Sequence, residues 1–143
     1  INDRADVALA VGADGVHVGQ SDLPCAAVRA MLGADRLVGV SAATVEEAVR
    51  AQRDGASYLG VGAMHPTSTK QNTRPVTPQA LAEIKRAVSI PVVAIGGLCA
   101  ENLGELSGTG VDGVAVVSAI LAQPDIRQAA EKLSARFREV FHG

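Results

Sequence analysis

The chain has 143 residues, nearly half of them apolar, with 13 basic and 15 acidic side chains and a formal net charge of -2. That balance describes a globular domain and excludes the basic stripe that nucleic acid or an acidic membrane surface requires. Apolar runs such as 90–95 and 114–117 are far too short to cross a bilayer, and no targeting segment is visible, so a cytoplasmic protein with neither kind of partner is expected.

In chain order, a short helix is expected at 5–11, followed by strands at 15–19, 37–41, 57–62, 91–96 and 113–117, with amphipathic segments between them. This alternation describes parallel βα units. Gly12, Gly55 and Gly110 recur at the helix-to-strand corners, where glycine supplies a left-handed stop. Thr44 with Glu47 makes a capping box at the third helix. Strands apolar on both faces suit a sheet covered by helices, and the short, uniform units favour a barrel over an open doubly wound sheet. Eight such units need upward of about 200 residues. The expected architecture is therefore an α/β chain holding about the last five units of a (β/α)8 TIM barrel, with 1–143 a partial barrel domain.

Cys25 and Cys99 lack Cys-x-x-Cys spacing, so two small buried thiols in a reducing compartment are expected, a disulfide between them staying open. His17 alternates with Val16 and Val18 and is expected to face the barrel interior, where a hydrogen-bonded histidine is favoured over a catalytic base. His65 and His142 have no partners nearby in sequence for a triad or a zinc site, and are read as incidental. The longest interruption of the regular pattern is 62–75, where hydroxyls, Lys70 and proline-fixed backbone suit phosphate oxygens. Asp3 and Asp22, about one βα unit apart, are expected just beyond the C-terminal ends of neighbouring strands. Alone, each reads as a helix cap, Asp22 lying two residues before Pro24.

Seven segments in order carry a resemblance that covers essentially the whole chain. They are 1–4 (Ile-Asn-Asp-Arg), 15–22 (Gly-Val-His-Val-Gly-Gln-Ser-Asp), 39–42 (Gly-Val-Ser-Ala), 59–62 (Leu-Gly-Val-Gly), 66–70 (Pro-Thr-Ser-Thr-Lys), 95–97 (Ile-Gly-Gly) and 116–120 (Val-Val-Ser-Ala-Ile). Together they resemble the thiamine-phosphate synthases, phosphate-binding TIM barrels that join a pyrimidine diphosphate to a thiazole phosphate and release pyrophosphate with Mg²⁺. The resemblance implies Mg²⁺ as cofactor, with Asp3 and Asp22 as its ligands. It assigns Asn2, Ser41 and Lys70 to the pyrimidine diphosphate, with Ser41 and Lys70 as the catalytic pair. Thr67, Ser68, Thr69, Gly97, Val117 and Ser118 go to the thiazole phosphate, the last three forming a cup at the loops after the final two strands.

The implied mechanism is dissociative: pyrophosphate leaves, a pyrimidinylmethyl cation forms and the thiazole nitrogen attacks it, with no protein nucleophile. Small phosphorylated molecules are the implied partners, and a homo-oligomer stays open. The resemblance also implies that the first two βα units and most of the third strand, with a Gln-x-Arg-x-Lys-type segment, are absent from these residues. The isolated chain is accordingly expected to be inactive or nearly so. Two alternatives remain at this point. One is a thiazole tautomerase homologue, disfavoured by Ala43 where that chemistry uses histidine. The other is a non-catalytic phosphate-binding half-barrel whose edge strand seeks a partner.

Overall fold

The computed structural model of the chain describes residues 1–67 and 73–142, apart from the His142 side chain. The elements run α1 (Ala5–Ala10), β1 (Gly15–Val18), α2 (Cys25–Leu32), β2 (Leu37–Ala42), α3 (Val45–Arg53), β3 (Tyr58–Val61), α4 (Pro78–Ala87), β4 (Val92–Ile95), β5 (Gly113–Ala115), α5 (Ser118–Leu121) and α6 (Ile126–His142), with one 3₁₀ turn at Leu103–Leu106. The five strands form one parallel sheet in the order β1-β2-β3-β4-β5. Asn2 adds a parallel bridge to His17 beside β1.

The two faces of this sheet differ, which corrects the expectation of strands apolar on both sides. Val16, Val18, Val38, Val40, Leu59, Val61, Val92 and Ala94 are buried on the face that the helices cover. They pack with Val28, Leu32, Ala48, Leu81 and Ile84 from α2, α3 and α4. Each of the valine, leucine and isoleucine side chains contributes roughly 1.5–3 kcal/mol through removal from water. On the opposite face His17, Ser41, Tyr58 and Val93 are only half-buried and Ile95 is exposed. The apolar runs looked two-sided because glycines at 39 and 60 occupy positions where side chains would have revealed the alternation.

Local chemistry explains the boundaries. Gly12, Gly55 and Gly110 all take positive φ, as their corner positions require. Thr44 accepts the Glu47 amide, but the Glu47 carboxylate reaches back to the Ala43 amide and not to that of Thr44, so the capping box is displaced by one residue. Pro24 occupies the N-cap of α2, which has no side-chain cap; Asp22 accepts the Gly19 amide at 2.7 Å instead. Both cysteines are free, and Cys99 is half-buried where a buried thiol was expected. Among the described residues no helix is long and apolar enough to cross a membrane.

The N-terminal end of the sheet is tied by charged side chains. Arg29 donates to the carbonyls of Gly33, Arg36 and Gly55 and to the Ser57 hydroxyl, itself an acceptor for the Val38 amide. Asp112 accepts both Lys85 Nζ and the Val92 amide at 2.7 Å, locking the start of β5 to α4 and β4. Partial burial acts to raise the Asp112 carboxyl, yet the Lys85 and Val92 hydrogen bonds outweigh it and hold the group below its ordinary value.

A carboxylate depressed in this way stabilises the fold above its unfolded pKa of about 4 and loses that contribution as pH falls through the folded value. Asp112→Asn is therefore predicted to lower stability by about 1 kcal/mol at neutral pH. Urea-unfolding midpoints should show that deficit shrinking below about pH 4; a constant deficit down to pH 3 would contradict the assignment.

Candidate functional site

The C-terminal ends of all five strands open onto a cavity of about 460 Å³. Asn2, Gly19 and Gln20 line it from the β1 side, Ser41 to Ala43 from β2, and Gly62, Ala63, Thr67, Thr73 and Arg74 from the connection after β3. Gly96, Gly97 and Leu98 follow β4, and Val116, Val117 and Ser118 follow β5. This volume suits a small molecule held by a few polar groups in an otherwise apolar lining.

The connection after β3 is closed at its base: the Ala63 amide donates to Arg74 O at 2.8 Å and the Val76 amide to Ala63 O at 2.9 Å. Its first arm runs along the end of β4, with Met64 N donating to Ile95 O and His65 N to Gly96 O. That close approach needs glycines. A Cβ on Gly62 would overlap the Ile95 carbonyl oxygen, and one on Gly97, at φ +63, would lie 2.7 Å from His65 Cβ and 2.8 Å from Pro66 O. Asn102 fixes the same turn, accepting the Cys99 amide and donating to Gly97 O. His65, expected to be incidental, ion-pairs with Glu105 at 3.2 Å when protonated.

The second arm is anchored electrostatically. Arg74 Nη2 donates to both carboxylate oxygens of Glu47 at 2.7 Å, a contact to a side chain already capping Ala43. Partial burial would raise the Glu47 carboxyl, but hydrogen bonds from Arg74 and Ala43, with the charges of Arg74 and Arg50, hold it below its usual range. Gln20 joins the network by donating to Ser41 O and accepting from Arg50.

On the open face His17 lies across β2 and β3. Its Nε2 is 2.9 Å from Ser41 Oγ and its Nδ1 is 3.0 Å from the Tyr58 hydroxyl, so the histidine is hydrogen-bonded and interior as expected. Burial pushes the Tyr58 phenol up, which keeps it a neutral O–H. A Cβ on Gly39 would overlap both ring systems, and one on Gly60 would sit 3.0 Å from His17 Cε1.

The fold therefore brings Asn2, Ser41, Thr67, Gly97, Val117 and Ser118 into one cavity. Ser68, Thr69 and Lys70 lie outside the described residues. Neither aspartate lines that cavity: Asp22 borders an adjoining pocket of about 260 Å³ with Gln20, Glu47 and Arg50. Asp3 follows the Asn2 bridge in a left-handed conformation at φ 62, and its Oδ1 is buried without a hydrogen-bond partner. An unpaired carboxylate oxygen of this kind suits a cation. Among the described residues no three His, Cys, Asp or Glu side chains converge as a metal cluster.

Sequence reasoning missed Gln20, Glu47, Tyr58 and Arg74. Arg74 falls inside the loop that drew attention, but Glu47 lies 27 residues away on a helix that reads as merely capped. No spacing rule connects the two.

Residues 1–120 match the family described as "Thiamine monophosphate synthase". The thiamine-phosphate synthase of Ruminiclostridium cellulolyticum is 60% identical over 133 residues, covering 93% of this chain and 63% of that protein. That of Alkaliphilus oremlandii is 55% identical over 138 residues, covering 96% and 66%. The chain thus spans about two thirds of the length of the curated relatives it matches. The solved thiamine phosphate pyrophosphorylase from Pyrococcus furiosus superposes with a TM-score of 0.87 at 42% identity, over 97% of this chain and 66% of that one. A structure of KGPDC from Streptococcus mutans reaches 0.74 at 16% identity over 95% of this chain and 66% of that one, a likeness of fold alone.

Gly97 and Gly12 have nearly the same φ, +63 and +65, but a Cβ on Gly12 meets nothing within 4 Å. Gly12→Ala should therefore cost only the left-handed penalty of about 1–2 kcal/mol. Gly97→Ala should cost about 1–3 kcal/mol more through overlap with His65 and Pro66. Equal losses in chemical denaturation would show that the arm does not press on Gly97.

Proposed function

The chain belongs to the thiamine monophosphate synthase family, and we propose that its cavity is the site where a pyrimidine diphosphate and a thiazole phosphate are joined to thiamine phosphate. In this reading the substrates are 4-amino-2-methyl-5-(diphosphooxymethyl)pyrimidine and 4-methyl-5-(2-phosphooxyethyl)thiazole, the protein is a transferase, and the sheet is an arc of a (β/α)8 barrel in a cytoplasmic enzyme. The observation that carries the reading is the gathering of Asn2, Ser41, Thr67, Gly97, Val117 and Ser118 around one opening at the strand C-termini. That is the end where parallel α/β barrels place their chemistry. The relatives named above are synthases, and Ala43 lines the cavity where the tautomerase alternative needs an imidazole.

The two halves of the cavity divide the work. Gly97, with Val117 and Ser118 after β5, receives the thiazole phosphate through backbone amides and a hydroxyl, and Thr67, Ser68 and Thr69 are assigned to the same phosphate. Asn2 and Ser41 hold the diphosphate. Lys70 offsets charge that grows on the departing pyrophosphate, an interaction stronger in the transition state than in the bound substrate. Asp3 and Asp22 would hold Mg²⁺, which supplies further neutralisation of phosphate charge when bound. The unpartnered Asp3 Oδ1 supports that ligand assignment. The lining is largely apolar beyond these groups, which keeps water from a carbocation-like centre, and fixed orientation provides most of the rate.

Because the chain covers 63% of the R. cellulolyticum relative, the decisive assay joins it to the part of that relative it does not match. The chimera should form thiamine phosphate from the two substrates with Mg²⁺. Lys70→Ala and Asp3→Asn should each reduce kcat by about 10²-fold or more, within the range found for removal of a transition-state donor. EDTA should abolish the reaction reversibly. A folded chimera that makes no product, or one indifferent to Lys70, would overturn the reading.

A further inference from the structure

The contacts of His17 permit two hydrogen-bond directions. A neutral imidazole offers one donor and one acceptor. If Nδ1 carried the proton, it would donate to Tyr58, and Ser41 would spend its own proton on Nε2. The phenol O–H of Tyr58 would then have no acceptor among the described residues, where its hydroxyl meets His17 alone. Ser41 would also turn lone pairs toward a cavity that receives anions. In the reverse direction Tyr58 O–H donates to Nδ1 and Nε2–H donates to Ser41 Oγ, and the one proton left to find an acceptor is that of Ser41, which lines the cavity where Tyr58 does not. An unpaired phenol donor away from the cavity costs on the order of 1–3 kcal/mol, whereas the Ser41 proton faces an opening where solvent or a ligand can accept it, and this difference selects the arrangement.

We propose that Tyr58 and His17 form a one-way hydrogen-bond relay that aims the Ser41 proton into the cavity, making His17 and Tyr58 positioning residues for recognition of the diphosphate. The geometry is over-determined from several sides. Gly39 and Gly60 leave the space the ring occupies, and the two ring planes, with centroids 5.5 Å apart, are tilted by 43°. Gln20 separately holds the Ser41 carbonyl at 2.7 Å, so the serine backbone is fixed while its hydroxyl is oriented by His17. With its acceptor role filled by Nε2–H, the hydroxyl has its proton to give. A phosphate oxygen accepts a hydrogen bond from it more strongly than a neutral acceptor does, and a ligand without an acceptor gains nothing from it. Neither His17 nor Tyr58 carries the reaction itself. Both act through Ser41, and the inference rests on the assignment of Ser41 to the diphosphate given above.

Two measurements test it on the intact chain. Long-range proton–nitrogen correlation at neutral pH should find His17 as the Nε2–H tautomer with Nδ1 unprotonated. The Nδ1–H tautomer, or a doubly protonated ring, would overturn the relay whether or not the chain binds substrate. Calorimetric titration with inorganic pyrophosphate and Mg²⁺ should then show about tenfold weaker binding for His17→Leu, as expected for a charge-assisted hydrogen bond of roughly 1.5 kcal/mol. His17→Gln, whose amide can replace the Nε2–H donor, should recover most of that loss. In a Ser41→Ala background His17→Leu should have no further effect. Additive losses in the double variant would assign His17 a purely structural role and sink the proposal. If wild-type protein binds no pyrophosphate while the tautomer is as stated, the Ser41 assignment fails and the hydrogen-bond direction stands.

Discussion

The space left by Gly39 and Gly60 on the open face of the sheet governs what the molecule can do. Side chains at those positions would fill the concave surface and press His17 out of it. Without them the imidazole spans β2 and β3, reaches Ser41 and Tyr58, and gives the floor of the cavity a polar order that an aliphatic layer could not supply. The members of this half-buried polar cluster are coupled through their hydrogen bonds, so a one-residue change here is felt by the whole set. The opposite face carries the aliphatic burial that keeps the sheet intact. Stability and the lining of the cavity are therefore drawn from alternate residues of the same strands.

A similar division runs along the strand direction. At the N-terminal ends, Arg29 and Asp112 tie strand starts to neighbouring helices and corners, contacts that involve none of the cavity residues. At the C-terminal ends the corresponding hydrogen bonds hold loops: Asn102 on the Gly97 turn, Glu47 on Arg74, Gln20 on Ser41. Backbone amides presented by a turn are effective toward phosphate only if the turn does not relax, because reorganisation would consume the binding energy. The His65 arm seated against Gly96 and Gly97 provides that rigidity.

Much of this was legible in the amino-acid order. The β-branched runs placed each strand to within about two residues, the corner glycines took the left-handed conformation, and the alternation about His17 gave its direction. Ser41, Gly97, Val117 and Ser118 were legible as strand-end residues because parallel strands point their C-termini to one side. What was hidden depends on distance across the fold. Glu47 reads as a capping residue until Arg74 arrives from the end of a loop, and Tyr58 reads as a strand aromatic until His17 meets its hydroxyl. The unequal faces of the sheet were hidden for another reason: glycine is silent in a pattern of apolar and polar residues.

A crystal structure of the chain grown with the thiazole phosphate, inorganic pyrophosphate and Mg²⁺ would show directly whether the two anions occupy the two halves of the cavity. The thiazole phosphate is expected at the Gly97 and Ser118 amides, with the pyrophosphate accepting a hydrogen bond from the Ser41 hydroxyl. Both anions bound away from the strand C-termini, or a single phosphate bridging Ser41 and Ser118 with no second site, would contradict that placement.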